Sequence, residues 1–177
     1  ITGYTVTSNP GGITAGGNGF TTSPITLSGL SNGTAYTFTV TATNAVGTST
    51  ASAASNSVTP KANQTITFTN PGAQNFGTTP TLTASASSSL PVSFSSATTG
   101  VCTITSGGSL TFITAGSCTI NADQAGNAAT NAATTISQSF LVNAVAPGAP
   151  VIGTATAGNT QASVSFSAPV NTGGSSI

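Results

Sequence analysis

The chain has almost no charge. Of its 177 residues, one is Lys or Arg and one is Asp or Glu, namely Lys61 and Asp123. His, Met and Trp are absent altogether. Each absence removes a class of chemistry. General acid–base catalysis needs side chains that titrate near working pH, and one Lys and one Asp far apart in sequence do not provide them. Without His, no serine has the imidazole base of a catalytic triad. A hard-cation site takes several carboxylates, and zinc takes clusters of Cys and His; one Asp and two Cys build neither. Nucleic-acid binding rests on Lys and Arg that displace counterions. The glycine runs lack the lysine of a phosphate loop. These absences predict a protein that is not an enzyme, carries no cofactor or metal and has no nucleic-acid partner. No run of about 18 apolar residues is present, so membrane insertion is not expected.

What remains is a strand composition. Hydrophobic residues make up 37% of the chain at zero net charge, whereas disorder pairs low hydrophobicity with high net charge. Ser and Thr fill about a third of the positions, and 21 Gly and 9 Pro punctuate them. Helix formers such as Glu, Lys, Arg and Met are nearly missing, while Thr, Val, Ile and Phe are common. Alternation is clearest at Ala35–Ala42, where Tyr36, Phe38, Val40 and Ala42 share one face and Thr37, Thr39 and Thr41 the other. The same period of two predicts strands at Ile1–Thr7, Ser23–Leu27, Thr65–Thr69, Pro80–Ala86, Val92–Ser96, Val101–Thr105, Ser109–Ile113, Ser117–Asn121, Thr134–Val142, Pro150–Thr156 and Ala162–Ala168. Turn clusters such as Asn9-Pro10-Gly11-Gly12 and Gly107-Gly108 lie between them. Many short strands at even spacing predict an all-β protein of antiparallel sandwiches. The alternating aromatics belong to cores; Phe20 and Phe76, in loop-like contexts, are the exposed candidates. Proline-bearing joints at Val58–Asn63 and Asn143–Pro150 divide the chain.

Three segments result: 1–60, 61–146 and 147–177. The first resembles the later strands, C to G, of a bacterial fibronectin type III domain. The residues that carry this are Ile1-Thr2-Gly3-Tyr4-Thr5-Val6-Thr7, Leu27-Ser28-Gly29-Leu30, Gly33–Val40 and Ala42–Gly47. Tyr36 falls at the family's tyrosine corner, which implies a buried ring whose hydroxyl bonds nearby backbone. The last segment, with Val151-Ile152-Gly153 and Ala162–Pro169, resembles strands A and B of the same family, with Phe166 near a position often held by Trp. The middle segment resembles the Ig-like modules of large bacterial surface proteins, on Gln64–Phe68, Val101–Ile104, Ala115–Ile120 and Asp123–Asn127. The fold implied is two β-sandwich modules, Ig-like and fibronectin type III-like, the latter split between the chain ends. Ile1 opens in mid-strand pattern, and Ile177 takes the place Ile1 would hold in a following copy. The chain then reads as about one period of a tandem array in a longer protein. Strands A and B would belong to the next copy, by covalent continuity or, as a variant, by strand addition between separate chains.

The resemblance implies an extracellular or cell-surface setting. There, Cys102 and Cys118 favour a disulfide, with two buried free thiols as the alternative. Lys61 and Asp123 read as solvated surface charges. Asn32-Gly33-Thr34 and Asn63-Gln64-Thr65 match the glycosylation triplet by chance, and the Ser/Thr surface invites O-glycans. The function implied is a structural repeat unit of a bacterial filament, stalk or surface layer, with copies of itself as partners and cell surfaces or glycans as further ones. The alternative is a carbohydrate-binding or adhesive accessory module of a secreted polysaccharide-degrading enzyme. Natural sheets blunt their edges with charge; this chain has little to spend, which predicts side-by-side association.

Association between copies should therefore ignore ionic strength. Light scattering from 20 mM to 1 M NaCl, and from about pH 5 to pH 9, should give one unchanged curve. Dissolution by moderate salt alone would contradict this.

Overall fold

The computed structural model describes residues 1–175; Ile177, placed above at the start of a following copy, lies outside them. Among the described residues the protein is all-β, without helices, and no helix long and apolar enough to cross a membrane is present. Two compact units form, Ile1–Gln64 with Ala125–Ala132, and Thr65–Gln124 with Ala133 onward.

The first unit carries β1 (Gly3–Asn9), β2 (Thr14–Asn18) and β3 (Thr37–Thr43) in the antiparallel order β2-β1-β3. Register puts Tyr4 beside Ala42, Val6 beside Val40 and Ser8 beside Phe38. The period of two thus assembles one apolar face, while Thr5, Thr7, Thr39 and Thr41 meet on the other. Gly16 in β2 has φ +98°, and a Cβ there would lie 2.2 Å from the Tyr4 carbonyl oxygen, so only glycine fits. Ser23–Leu27, predicted as a strand, forms none: no backbone hydrogen bond joins Ile25–Leu30 to any other described residue. Ile25 and Leu27 are half-buried while Thr26 and Ser28 are exposed. The alternation is that of a strand, but the neighbour that would complete its ladder is missing.

The edge beside β3 is built by serines. Residues 48–57 run along β3 with a period of three against its two. The amides of Ser49, Ser52, Ser55 and Val58 donate to the carbonyls of Ala42, Val40, Phe38 and Tyr36, each at 2.9 Å. In return, the hydroxyls of Ser49, Ser52 and Ser55 accept from the amides of Ala42, Val40 and Phe38 at 3.0–3.1 Å. Each hydroxyl then donates to the carbonyl of the next residue in its own chain. The serine side chain replaces its own carbonyl as acceptor, so the chain advances three residues where a ladder advances two. The outward groups of this segment consequently fall out of phase with a further strand. The edge is blunted by hydroxyls rather than charges.

The second unit holds a sandwich and a hairpin. Its strands are β4 (Ile66–Phe68), β5 (Gln74–Asn75), β6 (Ala84–Ala86), β7 (Ser93–Ser96), β8 (Cys102–Ile104), β9 (Leu110–Phe112), β10 (Gly116–Asp123) and β11 (Ile136–Asn143), then β12 (Val151–Gly158) and β13 (Gln161–Ser167). One sheet has the order β5-β11-β10-β7, and β4-β6 and β8-β9 form two-stranded pairs. Alternation on β10 buries Cys118, Ile120 and Ala122, and β11 buries Phe140 and Val142. These meet Phe68, Phe94, Leu110 and Phe112, with Phe68 edge-on to Phe94 at 5.4 Å. Phe76, expected to be exposed, packs half-buried against this core.

Replacing Ser49, Ser52 and Ser55 together by Ala should release residues 48–57. Each lost acceptor costs about 1 kcal/mol, and amide exchange at Phe38, Val40 and Ala42 should accelerate accordingly. Unchanged exchange at these three amides would show that the hydroxyls do not hold the edge.

Candidate functional site

The residues with chemistry are few, and the structure gives them structural surroundings. Cys102 and Cys118 form a disulfide, with sulfurs fully buried in the sandwich core and Cα atoms 5.8 Å apart. The bond ties the β8–β9 hairpin to central strand β10. Tyr36 is buried in the first unit, and its hydroxyl accepts from the Ser31 amide at 3.1 Å. Lys61 is exposed. Asp123 is half-buried and accepts a hydrogen bond from the Thr135 hydroxyl.

The features with a capacity to act are surfaces. On the first unit, the apolar face of β1 and β3 opens into a groove of about 400 Å³. Tyr4, Val6, Ile25 and Val40 supply its apolar walls, and Thr21–Ser23 its rim. Val40 in its floor remains 37% exposed. Ile25, one of these walls, begins the unladdered segment Ile25–Leu30.

On the second unit, β12 and β13 form a hairpin whose every residue is exposed. Its register pairs Ile152 with Phe166, Ala155 with Val164 and Ala157 with Ala162. A bulge between Ile152 and Ala155 shifts the phase by one residue, so all six of these apolar side chains share one face. Strict alternation along Pro150–Thr156 does not reveal that face, because it separates Ile152 from Ala155. The Ser165 hydroxyl accepts the Thr154 amide at 2.9 Å, satisfying the group that the bulge would orphan. Phe166, expected in a core, stands 74% exposed because no described residue covers it.

The root of the hairpin is fixed. Val145 donates its amide to the Gly173 carbonyl and Gly148 donates to that of Asn171, both at 2.9 Å. The Gly174 carbonyl accepts from the Ala115 amide at 2.8 Å and from the Thr114 hydroxyl at 2.9 Å. A Cβ on Gly174 would lie 2.6 Å from the Phe76 ring, and its φ is +84°, so glycine is required there as well.

Sequence reasoning brought Cys102 and Cys118 together but missed both the serine edge and the apolar hairpin face. The spacing Ser49-x-x-Ser52-x-x-Ser55 was the available signal for the first. For the second, the signal was Gly153, a residue that often marks a bulge within a strand.

Residues 1–58 match the family model of the fibronectin type III domain. No curated protein matches the chain.

Opening the disulfide should weaken the second unit. Cys102 and Cys118 are 16 residues apart, and closing such a loop stabilises by about 3 kcal/mol. The Cys102→Ala/Cys118→Ala variant should lower the unfolding free energy of that unit by roughly this amount in guanidinium titrations followed by circular dichroism. A change below about 1 kcal/mol would contradict a constraining role for the bond.

Proposed function

We propose that the chain is a structural, non-catalytic repeat unit of an extracellular bacterial filament, stalk or surface layer. The observation that carries this reading is the pair of unfinished surfaces. One unit has an apolar groove beside a strand without a ladder, and the other has a fully exposed hairpin with an apolar face. No described residue covers either surface. A repeat unit uses them on its neighbours.

The match of residues 1–58 to the fibronectin type III model supports a modular scaffold. That match and the buried disulfide both suit an oxidising compartment outside the cell. The near absence of charge fits contacts made and kept without desolvating ions. The blunted serine edge favours growth at the ends of the unit over lateral sheet addition at that edge.

Electron microscopy of the concentrated protein should reveal threads or layers. Their axial repeat should be about 70–80 Å, from two modules with strands rising about 3.4 Å per residue. A monodisperse monomer at every concentration up to about 1 mM, in sedimentation velocity, would overturn the reading.

A further inference from the structure

We propose that the β12–β13 hairpin of one copy of this chain seats on the groove of the first unit of a second copy, adding strands beside Ile25–Leu30. The proposal rests on reading the chain as a repeat unit, and it names the partner and the contact.

Both surfaces ask for the same thing. Ile25–Ser28 has the alternation of a strand, with Ile25 and Leu27 turned to the half-buried side, yet the amides and carbonyls of Ile25–Leu30 find no partner among the described residues. Such a row is a template for one more strand. The hairpin supplies strands with free outer edges: among the described residues β12 and β13 pair only with each other. Its six-residue apolar face would then cover the groove walled by Tyr4, Val6, Ile25 and Val40.

The area is of the right size. Phe166 is 74% exposed, Ile152 75% and Val164 51%. Covering them along with the alanines and one ladder edge removes roughly 500–800 Å² on the hairpin side, against about 800 Å² per partner in a standard specific interface. Neither surface carries a charged side chain, so no ion loses its water on contact. The contact joins two different surfaces, so each copy offers one groove and one hairpin; such a contact builds an open line, or a closed ring where the rotation between copies closes. The clasp of Gly173 and Gly174 on the sandwich fixes the root of the hairpin and reduces the ordering needed on docking.

The test uses two full-length variants. Phe166→Asp disables the hairpin; its side chain is exposed in the free chain, so the fold of either unit does not depend on it. Val40→Asp disables the groove, with the new carboxylate hydrated in the free chain and dehydrated only on docking. Protection of the Tyr36 and Val58 amides, which bond each other's carbonyls, checks that the first unit stays folded. Ile25→Asp replaces Val40→Asp if that protection is lost. Each variant alone should need at least about 100-fold more protein to assemble than the wild type. Mixed in equal amounts, they should form a 1:1 heterodimer and stop there, because the one intact groove meets the one intact hairpin.

Wild-type assembly that persists in both variants would overturn this contact while leaving the repeat-unit reading standing. Variants that stay monomeric when mixed would overturn it too. A wild type that never assembles would overturn both. A monomeric wild type with protected Ile25–Leu30 amides would place the hairpin on its own chain and contradict a second copy as partner.

Discussion

Every peptide N–H and C=O taken out of water must find a partner, and this protein must meet that demand almost without charged side chains. Hydroxyls do much of the work. Ser49, Ser52 and Ser55 take the place of their own carbonyls along β3. The Ser165 hydroxyl satisfies the Thr154 amide at the hairpin bulge, and the Thr98 hydroxyl accepts the Thr119 amide beside the disulfide. A serine hydroxyl both accepts and donates, so it can take a strand's amide and pass the bond on to the next carbonyl. Lys only donates and an ionised Glu only accepts, so neither can do both.

The same demand identifies what is unfinished. In the sandwich of the second unit, Phe68, Phe94, Leu110, Ile120 and Phe140 close over the disulfide, and no buried side-chain polar atom lacks a partner among the described residues. In the first unit the Ile25–Leu30 backbone is left open beside an apolar groove. In the hairpin the backbone is paired but the apolar face is bare. One surface lacks a ladder and a cover, and the other offers both. The proposed repeat-unit role rests on this mismatch between an open strand beside an apolar groove and a bare apolar hairpin face.

Much of this was legible in the sequence. Period-two alternation located β1, β3, β10, β11 and β13, because one face of each strand is apolar or its neighbours hold it in register. What failed depended on partners or on broken phase. Ser23–Leu27 has the pattern of a strand, but a strand is a pairing and the pattern does not provide the partner. The apolar face of β12 is split by a bulge, and counting by twos passes over it. A count by twos does not find the 48–57 edge, because its period is three. Phe76 looked exposed in its local context; its position beside Gly174, almost a hundred residues away, comes only from tertiary folding. Phe166 was assigned to a core, and no described residue covers it.

Amide hydrogen exchange at Ile25–Leu30 tests the central claim most directly, measured on the wild-type chain when dilute and when assembled. The account predicts exchange near the unprotected rate in dilute solution and strong protection at alternate amides of this segment after assembly. Fast exchange in both states would contradict it, because association would then be occurring through some other surface.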